Sequence, residues 1–365
     1  MKTKDQIQRE IINSILEADF KGIVLSSVRS GKTRILITAI KEHTNKEVPN
    51  VLVLYPNIDI KNSWIDECEK IGCPMNITYS TFRSMEKVMD GDWDYVVFDE
   101  AHLIPPETKL PIAGYIAKKY DHVVFASGTY NSCTRADLII HTLLPVIVDY
   151  STEEAIEDDL ISNYTIYIHQ YSLDPNIIRT FTSGKRKWRN TDANEMERLN
   201  ERVEKSHGEK KKLASLTRMR FINSNGSLCD IVKKWMVVHP GKRFLMFVEN
   251  ETFGLKFRLP MFNSKSKDDF NLVEFQTGQS DQLCLIKKGS AGVTYPNLDN
   301  ILITAINSNG ENLEQMLGRS LLKDTKHSNI HIFTTDKQFQ LNWLSSALSN
   351  IPEDKIVWLK HLKVL

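Results

Sequence analysis

The stretch GIVLSSVRSGKT, residues 22–33, limits what this chain can fold into more than any other. Residues 22–26 are apolar or small and read as a short buried strand. A loop follows at 27–31. Lys32 and Thr33 then open the apolar-periodic run RILITAIKEH, which reads as a helix. Strand, glycine-containing loop, Lys-Thr and helix, in that order, form the arrangement of a phosphate-binding loop. The backbone N–H groups of Ser27, Val28, Arg29, Ser30 and Gly31 point at a polyphosphate. The helix start, through Arg34, adds unpaired donors and partial positive charge. Lys32 is placed to reach the terminal phosphates and the Thr33 hydroxyl to ligate Mg2+. Two residues depart from G-x-x-x-x-G-K-[ST]: Ser26 stands at the first glycine position and Arg29 sits inside the loop. On this stretch alone, an ordinary strand–turn–helix with an exposed lysine stays open.

The segment DYVVFDEAH, 94–102, supplies what such a loop needs. A buried strand, YVVF, delivers Asp99 and Glu100 at its carboxyl end, the edge where open α/β sheets bind ligands. Asp99 suits Mg2+, and Glu100 suits positioning and polarising an attacking water; a solvated acidic turn is the bland alternative. A further strand, HVVFASGT at 122–129, ends in Ser-Gly-Thr. Helices expected at 5–18 and 57–71 alternate with strands at 51–56 and 76–80, which argues for a parallel sheet covered on both faces.

The chain has 365 residues, 41% hydrophobic and 25% charged, enough for two domains with sizeable cores. Its formal net charge is only +1, so any surface for nucleic acid must be local. Cys68, Cys73, Cys133, Cys229 and Cys284 are scattered and read as reduced thiols. The first residues, MKTKDQIQREII, form no apolar signal segment, and no run approaches the ~18 apolar residues of a membrane span. The expected setting is cytoplasmic, with no membrane partner.

GKT at 31–33, DEAH at 99–102 and SGT at 127–129 resemble motifs I, II and III of the superfamily 2 helicases and translocases, the DEAD/DEAH-like proteins. RFLMFVEN at 243–250 is similar to motif IV, GSAGVTYPNLDNILI at 289–303 to motif V, and QMLGRSLL at 315–322 to motif VI. Within that superfamily the chain resembles small phage and bacterial helicases with a bare two-domain motor. The resemblance runs from about residue 6 to about residue 336 and is weak between roughly 165 and 240. It implies an α/β fold of two tandem RecA-like domains, each a mainly parallel sheet flanked by helices, with ATP and Mg2+ as cofactors. It assigns Lys32, Asp99, Glu100, Gln315 and Arg319 to catalysis and Thr33 and Asp99 to the metal. Gly292 joins the loop in nucleotide binding, and Gln8, with Gln6 as a rival, would read adenine. His102, Ser127 and Thr129 would couple the nucleotide state to the nucleic-acid track. Two departures stand out. The second arginine of motif VI, commonly the arginine finger that faces the γ-phosphate, is Leu322 here, with Arg319 upstream and Lys323 adjacent. In motif V, Thr294 replaces the usual acidic or amide residue.

The domains are expected at 1–155 and 156–365, the second opening with a basic helical or loop segment at 182–220. That segment holds twelve Lys or Arg against six acids. Lys185, Arg186, Lys187 and Arg189 surround Trp188 within it, a pattern that suits phosphate neutralisation and base stacking but also describes a solvated charged face. A capped helix is expected in 151–161, a strand from 164 and a helix at 228–238. Strands follow at 243–249, near 272–276, 282–286, 300–304 and 330–334, with a helix around 311–321 and a helical tail at 338–365. Near strand ends, Asn57, Lys61, Ser80, Thr81, Arg83, Asn250, Thr277, Lys287 and Ser290 fall where the family touches the phosphate backbone. The function implied is ATP-dependent unwinding or remodelling of nucleic acid, DNA (single-stranded, forked or branched) ahead of RNA. A monomeric motor in a bacterial or phage-infected cell is the expected form. A duplex translocase that leaves strands paired, a slow-hydrolysing ATP-gated clamp motivated by Leu322, and a small-molecule phosphotransferase are the alternatives.

Overall fold

The computed structural model describes the chain except for residues 28, 57, 129–131, 264–265, 267, 287–294, 296–297, 307–312, 314–326, 350 and 361–365. Val28, Asn57, Thr129, Lys287, Ser290, Gly292, Thr294, Gln315, Arg319 and Leu322 therefore lie outside the described residues, as does most of the helix expected around 311–321. The described chain forms two compact units, Met1–Ser162 and the residues from Asn163 onward.

In the first unit, α1 (Lys4–Glu17) starts in a capping box in which Thr3 and Gln6 each bond the other's backbone N–H. The elements β1 (Lys21–Ser26), α2 (Lys32–His43), β2 (Asn50–Tyr55), α3 (Ile58–Ile71), β3 (Asn76–Thr81) and β4 (Tyr95–Asp99) follow. They lead on to α4 (Leu110–Lys119), β5 (Val123–Ser127), α5 (Ser132–Thr142), β6 (Val146–Tyr150) and α6 (Thr152–Glu157). All six strands are parallel, in the order β3-β2-β4-β5-β1-β6. Strands buried on both faces read as continuous apolar runs, and β2 shows why. Val51, Val53 and Tyr55 join the core under α1, α2 and α3, while Leu52 and Leu54 join the core under α4. The side-chain period of two thus divides one apolar run between two cores.

The second unit begins with β7 (Asn163–Tyr171), followed by the hairpin β8 (Ile178–Ser183) and β9 (Arg186–Thr191). Three helices come next: α7 (Asp192–Glu204), α8 (Gly208–Ile222) and α9 (Gly226–Val238). Then come β10 (Phe244–Val248), α10 (Glu251–Gly254), β11 (Met261–Phe262), α11 (Phe270–Gln276), β12 (Gln282–Ile286), β13 (Asn300–Ile303), β14 (His327–Thr335), α12 (Gln338–Ala347) and β15 (Ile356–Lys360). Its sheet is parallel in the order β11-β12-β10-β13-β14-β7-β15.

Two expectations from sequence are corrected here. The strand near 272–276 is the helix α11: Leu272 and Phe275, three apart, are buried, whereas Val273 is exposed. A short apolar run fits either period, and here packing decides for the helix. The tail is only partly helical, since residues 356–360 pair with β7 and extend the sheet. The basic segment, expected as helix or loop, opens in the β8–β9 hairpin, whose tight turn Gly184 permits at φ 59°, and continues in the helices α7 and α8.

Candidate nucleotide site

The loop after β1 is braced from within. Ser26, buried at the end of the strand, places its hydroxyl 3.1 Å from that of buried Ser30. The departure from glycine at this position thus has a structural use. From α1, Gln8 donates its amide to the Ser30 carbonyl at 2.8 Å. The rival Gln6 is committed to the capping box of α1. Arg29 (φ 70°) and Gly31 (φ 86°) both take the left-handed conformation. At Gly31 only glycine fits well, since a Cβ would meet the Gln8 amide nitrogen at 2.4 Å. Gly31 is the N-cap of α2, and no side chain caps that helix. No capping side chain therefore competes for the first-turn N–H groups, beginning at Lys32 and Thr33, which suits this helix start to an anion.

Strand order brings the other parts to this loop. β1 lies beside β5, and β5 beside β4, with Leu25 level with Ser127 and Asp99 level with Ala126. The residues that leave the carboxyl ends of these three adjacent strands are the loop before α2, Asp99–Glu100 and Ser127–Gly128. Lys32 Nζ lies 4.0 Å from Glu100 Oε1. Glu100 Oε2 lies 3.4 Å from His102 Nδ1 and accepts from the Ser127 hydroxyl at 3.5 Å. His102 is buried, and its Nδ1 contacts Ser127 Oγ at 2.5 Å. Glu100 itself is held left-handed, at φ 53°, which for a non-glycine residue stores strain and turns its carboxylate toward Lys32.

The neighbouring carboxylates sit in opposite electrostatic settings. Burial, and then the charge of Glu100, push the Asp99 carboxyl above the usual range; Trp64 and Lys32 pull it partly back. Burial also raises Glu100, but Lys32, His102, the Gly128 N–H and Ser127 outweigh it and hold its carboxyl below that range. Glu100 is thus an ionised acceptor at neutral pH, suited to holding a water. Asp99 is 4% exposed, and it accepts from Trp64 Nε1 at 2.8 Å and from the Glu100 N–H at 3.0 Å. Trp64 lies inside the helix expected at 57–71, and no local pattern in the sequence advertises that its indole N–H is the partner of Asp99. The donor set of Asp99 carboxylate and Thr33 hydroxyl consists of oxygens alone, which fits a hard cation such as Mg2+. A cation there would also offset the burial that disfavours the charged form of Asp99.

The remaining expected residues fall in separate places. Arg34 is exposed on α2. In the first unit, β2–β3 pairing sets Ser80 level with Leu54 and Thr81 level with Tyr55. Lys61 Nζ lies 5.3 Å from the Tyr79 ring centroid, and Arg83 is exposed on the turn after β3. Lys61, Ser80, Thr81 and Arg83 thus share one corner of the sheet's carboxyl edge. In the second unit, Asn250 caps α10 by accepting from the Phe253 N–H. Thr277 lies at the end of α11 rather than at a strand end, and its hydroxyl donates to the Val273 carbonyl. Lys185, Arg186, Lys187 and Arg189 are all exposed on the β8–β9 hairpin. Trp188 is half-buried: it donates to Glu195 at 2.9 Å, and the Arg198 guanidinium lies 4.9 Å from its ring. No helix among the described residues is long and apolar enough to cross a membrane.

No protein-family model matches the chain, and no curated protein sequence matches it. Its fold, however, is similar to solved structures. S. cerevisiae Dbp5 bound to RNA and ADP BeF3 matches with a TM-score of 0.61 and 11% identity, over 97% of this chain and 89% of that chain. Mss116p bound to ssRNA and AMP-PNP matches with a TM-score of 0.55 and 14% identity, over 97% of this chain and 74% of that chain. At such identities the likeness concerns the fold, and the fold is that of two tandem RecA-like domains, each a parallel sheet flanked by helices.

Proposed function

We propose that this protein is an ATP-driven, nucleic-acid-stimulated helicase, with RNA as the first substrate to test. The observation that carries the reading is the convergence, on three adjacent strand ends, of an uncapped helix start behind Gly31, an ionised Glu100 and a buried Asp99. Lys32 and the first-turn N–H groups of α2 would bind the phosphates. Glu100 would hold the attacking water and take up its proton. Thr33 and Asp99 would hold Mg2+, which would neutralise the negative charge that develops on the phosphates. The His102–Ser127 contact ties the turn after β4 to the end of β5. It is therefore suited to pass a change at Glu100 to the end of β5, the neighbour of β1 and its loop. Arg319 enters from the motif resemblance as the second-domain cation for the phosphates.

The sequence resemblance favoured DNA. The similar folds with a polynucleotide in their descriptions hold RNA, which moves RNA ahead. A second reading, a slow-hydrolysing nucleotide-gated clamp, rests on Leu322 at the second-arginine position. Steady-state ATP turnover alone, with single-stranded and partly duplex RNA, and with the matching DNAs, separates them. Stimulation by a polynucleotide with strand separation supports the helicase. Tight ATP-dependent binding with negligible turnover supports the clamp. Lys32→Ala should abolish turnover, and Glu100→Gln should leave ATP bound and uncut; wild-type turnover in either variant would remove the proposed site.

A further inference from the structure

A second cluster of chemistry-bearing side chains lies at the opposite edge of the first sheet, where its strands begin. Asp19 precedes β1, His43 ends α2 and His122 precedes β5. His43 Nε2 is 2.9 Å from Asp19 Oδ1, and His122 Nδ1 is 4.0 Å from the same oxygen. One donor atom from each of the three residues lies within 4.8 Å of the other two. Ligands bound at ~2.0–2.2 Å around a tetrahedral Zn2+ stand roughly 3.3 Å apart, so small side-chain rotations would close this triangle on an ion.

The two imidazoles are set in place. The His43 and His122 rings meet edge to face with centroids 4.8 Å apart. Tyr95 stacks on His122, and its hydroxyl lies 2.9 Å from His43 Nδ1. A hydrogen bond at one ring nitrogen fixes the other as the ligand, as in metal sites with an outer shell; here Nε2 of His43 is the one turned to Asp19. The Asp19 side chain is 76% exposed and can swing onto an ion without disturbing the core. His122 Nδ1 also lies 3.0 Å from the Asp19 backbone oxygen, a contact that metal binding would exchange for a coordinate bond.

We propose that Asp19, His43 and His122 form a binding site for a divalent transition-metal ion of the zinc class, with three protein ligands and an open fourth position. Two imidazole nitrogens and one carboxylate suit Zn2+, Co2+, Ni2+ or Cu2+, and disfavour Mg2+, which takes oxygen ligands. The site is separate from the nucleotide site, on the other edge of the sheet. It joins the end of α2 to the starts of β1 and β5, so ion binding stabilises the first unit by mass action.

The test uses the full chain without a polyhistidine tag, freed of metal with a chelator. Calorimetric titration with Zn2+ should show one saturable site, and Co2+ should give the visible absorption of a nitrogen- and oxygen-ligated tetrahedral ion. Zn2+ should also raise the melting temperature. Asp19→Asn keeps the side-chain shape and tolerates a left-handed backbone. It and His122→Ala should each weaken Zn2+ about tenfold or more and remove the thermal gain, while melting normally without metal. Unchanged Zn2+ affinity in both variants would overturn the proposal. So would the absence of saturable binding, or a Co2+ spectrum with sulfur charge-transfer bands, which would place the ion at Cys68 and Cys73.

Discussion

Replacing Trp64 with Phe tests whether the indole orients Asp99 or merely fills space. Trp64 is fully buried, and its N–H donates at 2.8 Å to a carboxylate that is itself 4% exposed. A hydrogen bond to a charged group contributes ~1.5–3 kcal/mol, and one pKa unit equals ~1.4 kcal/mol. If Trp64 favours the ionised form by that amount, its loss raises the Asp99 carboxyl by roughly one to two units. The folded-state value already lies above the unfolded one. The group's contribution to stability is thus present below the ordinary carboxylate range and is lost as pH rises through the raised value. Trp64→Phe pushes the upper end of that window higher. The variant should therefore lose more stability at pH 8 than at pH 5, by ~1–2 kcal/mol, on top of a pH-independent packing loss of ~1 kcal/mol. Urea melts at the two pH values measure the difference, and the acid limb of ATP turnover should shift upward with it. Equal destabilisation at both pH values, together with superimposable acid limbs, would reduce Trp64 to a packing residue.

Gly31→Ala should destabilise the first unit by roughly 1–2 kcal/mol, because the residue is left-handed and its Cβ would strike the Gln8 amide. In denaturant melts, adding Gln8→Ala should recover part of that loss, a non-additivity expected of neighbours. Neutralising Lys185, Arg186, Lys187 and Arg189 together should flatten the log–log salt dependence of single-stranded RNA binding by about 0.7 for each phosphate that the hairpin no longer neutralises; an identical slope returns the hairpin to plain solvated surface. His169 and His331 touch at 2.9 Å in the second core. Burial pushes His169 down to about 4 and, with His169 and His239 nearby, His331 down to about 3. Their values lie below the ordinary one, so the stability they contribute is complete above about pH 6.5 and is lost as pH falls toward those values. Acid melts of a His169→Gln, His331→Gln double variant should show a shallower loss between pH 6.5 and 4.

How much of this was legible in the sequence depends on whether cause and effect lie close along the chain. The strand–loop–helix around Gly31, Lys32 and Thr33 was readable because those residues are consecutive, and the placing of Asp99 and Glu100 at a strand end because they close an apolar run. Strands buried on both faces declared themselves as runs such as VLVLY. Readings failed where a short apolar stretch fits two periods, as at 272–276, or where a sheet-edge partner far along the chain decides, as when β15 joins β7. The parts that set the chemistry were hidden differently. That β4, β5 and β1 are adjacent follows from strand order, so the meeting of Lys32, Glu100 and Ser127 had no local signature. The helical pattern of 57–71 says nothing of the bond that the Trp64 indole N–H makes to Asp99. Asp19, His43 and His122 are separated by 24 and 79 positions and become neighbours only because the end of α2 lies beside the starts of β1 and β5. The same parallel order thus builds both edges: where β1, β4 and β5 end, it gathers Lys32, Asp99, Glu100 and Ser127, and where they begin, it gathers two imidazoles and a carboxylate. Because each strand runs from one edge to the other, the six-stranded sheet holds both constellations at a fixed separation, and α2 spans them, with Lys32 at its start and His43 at its end.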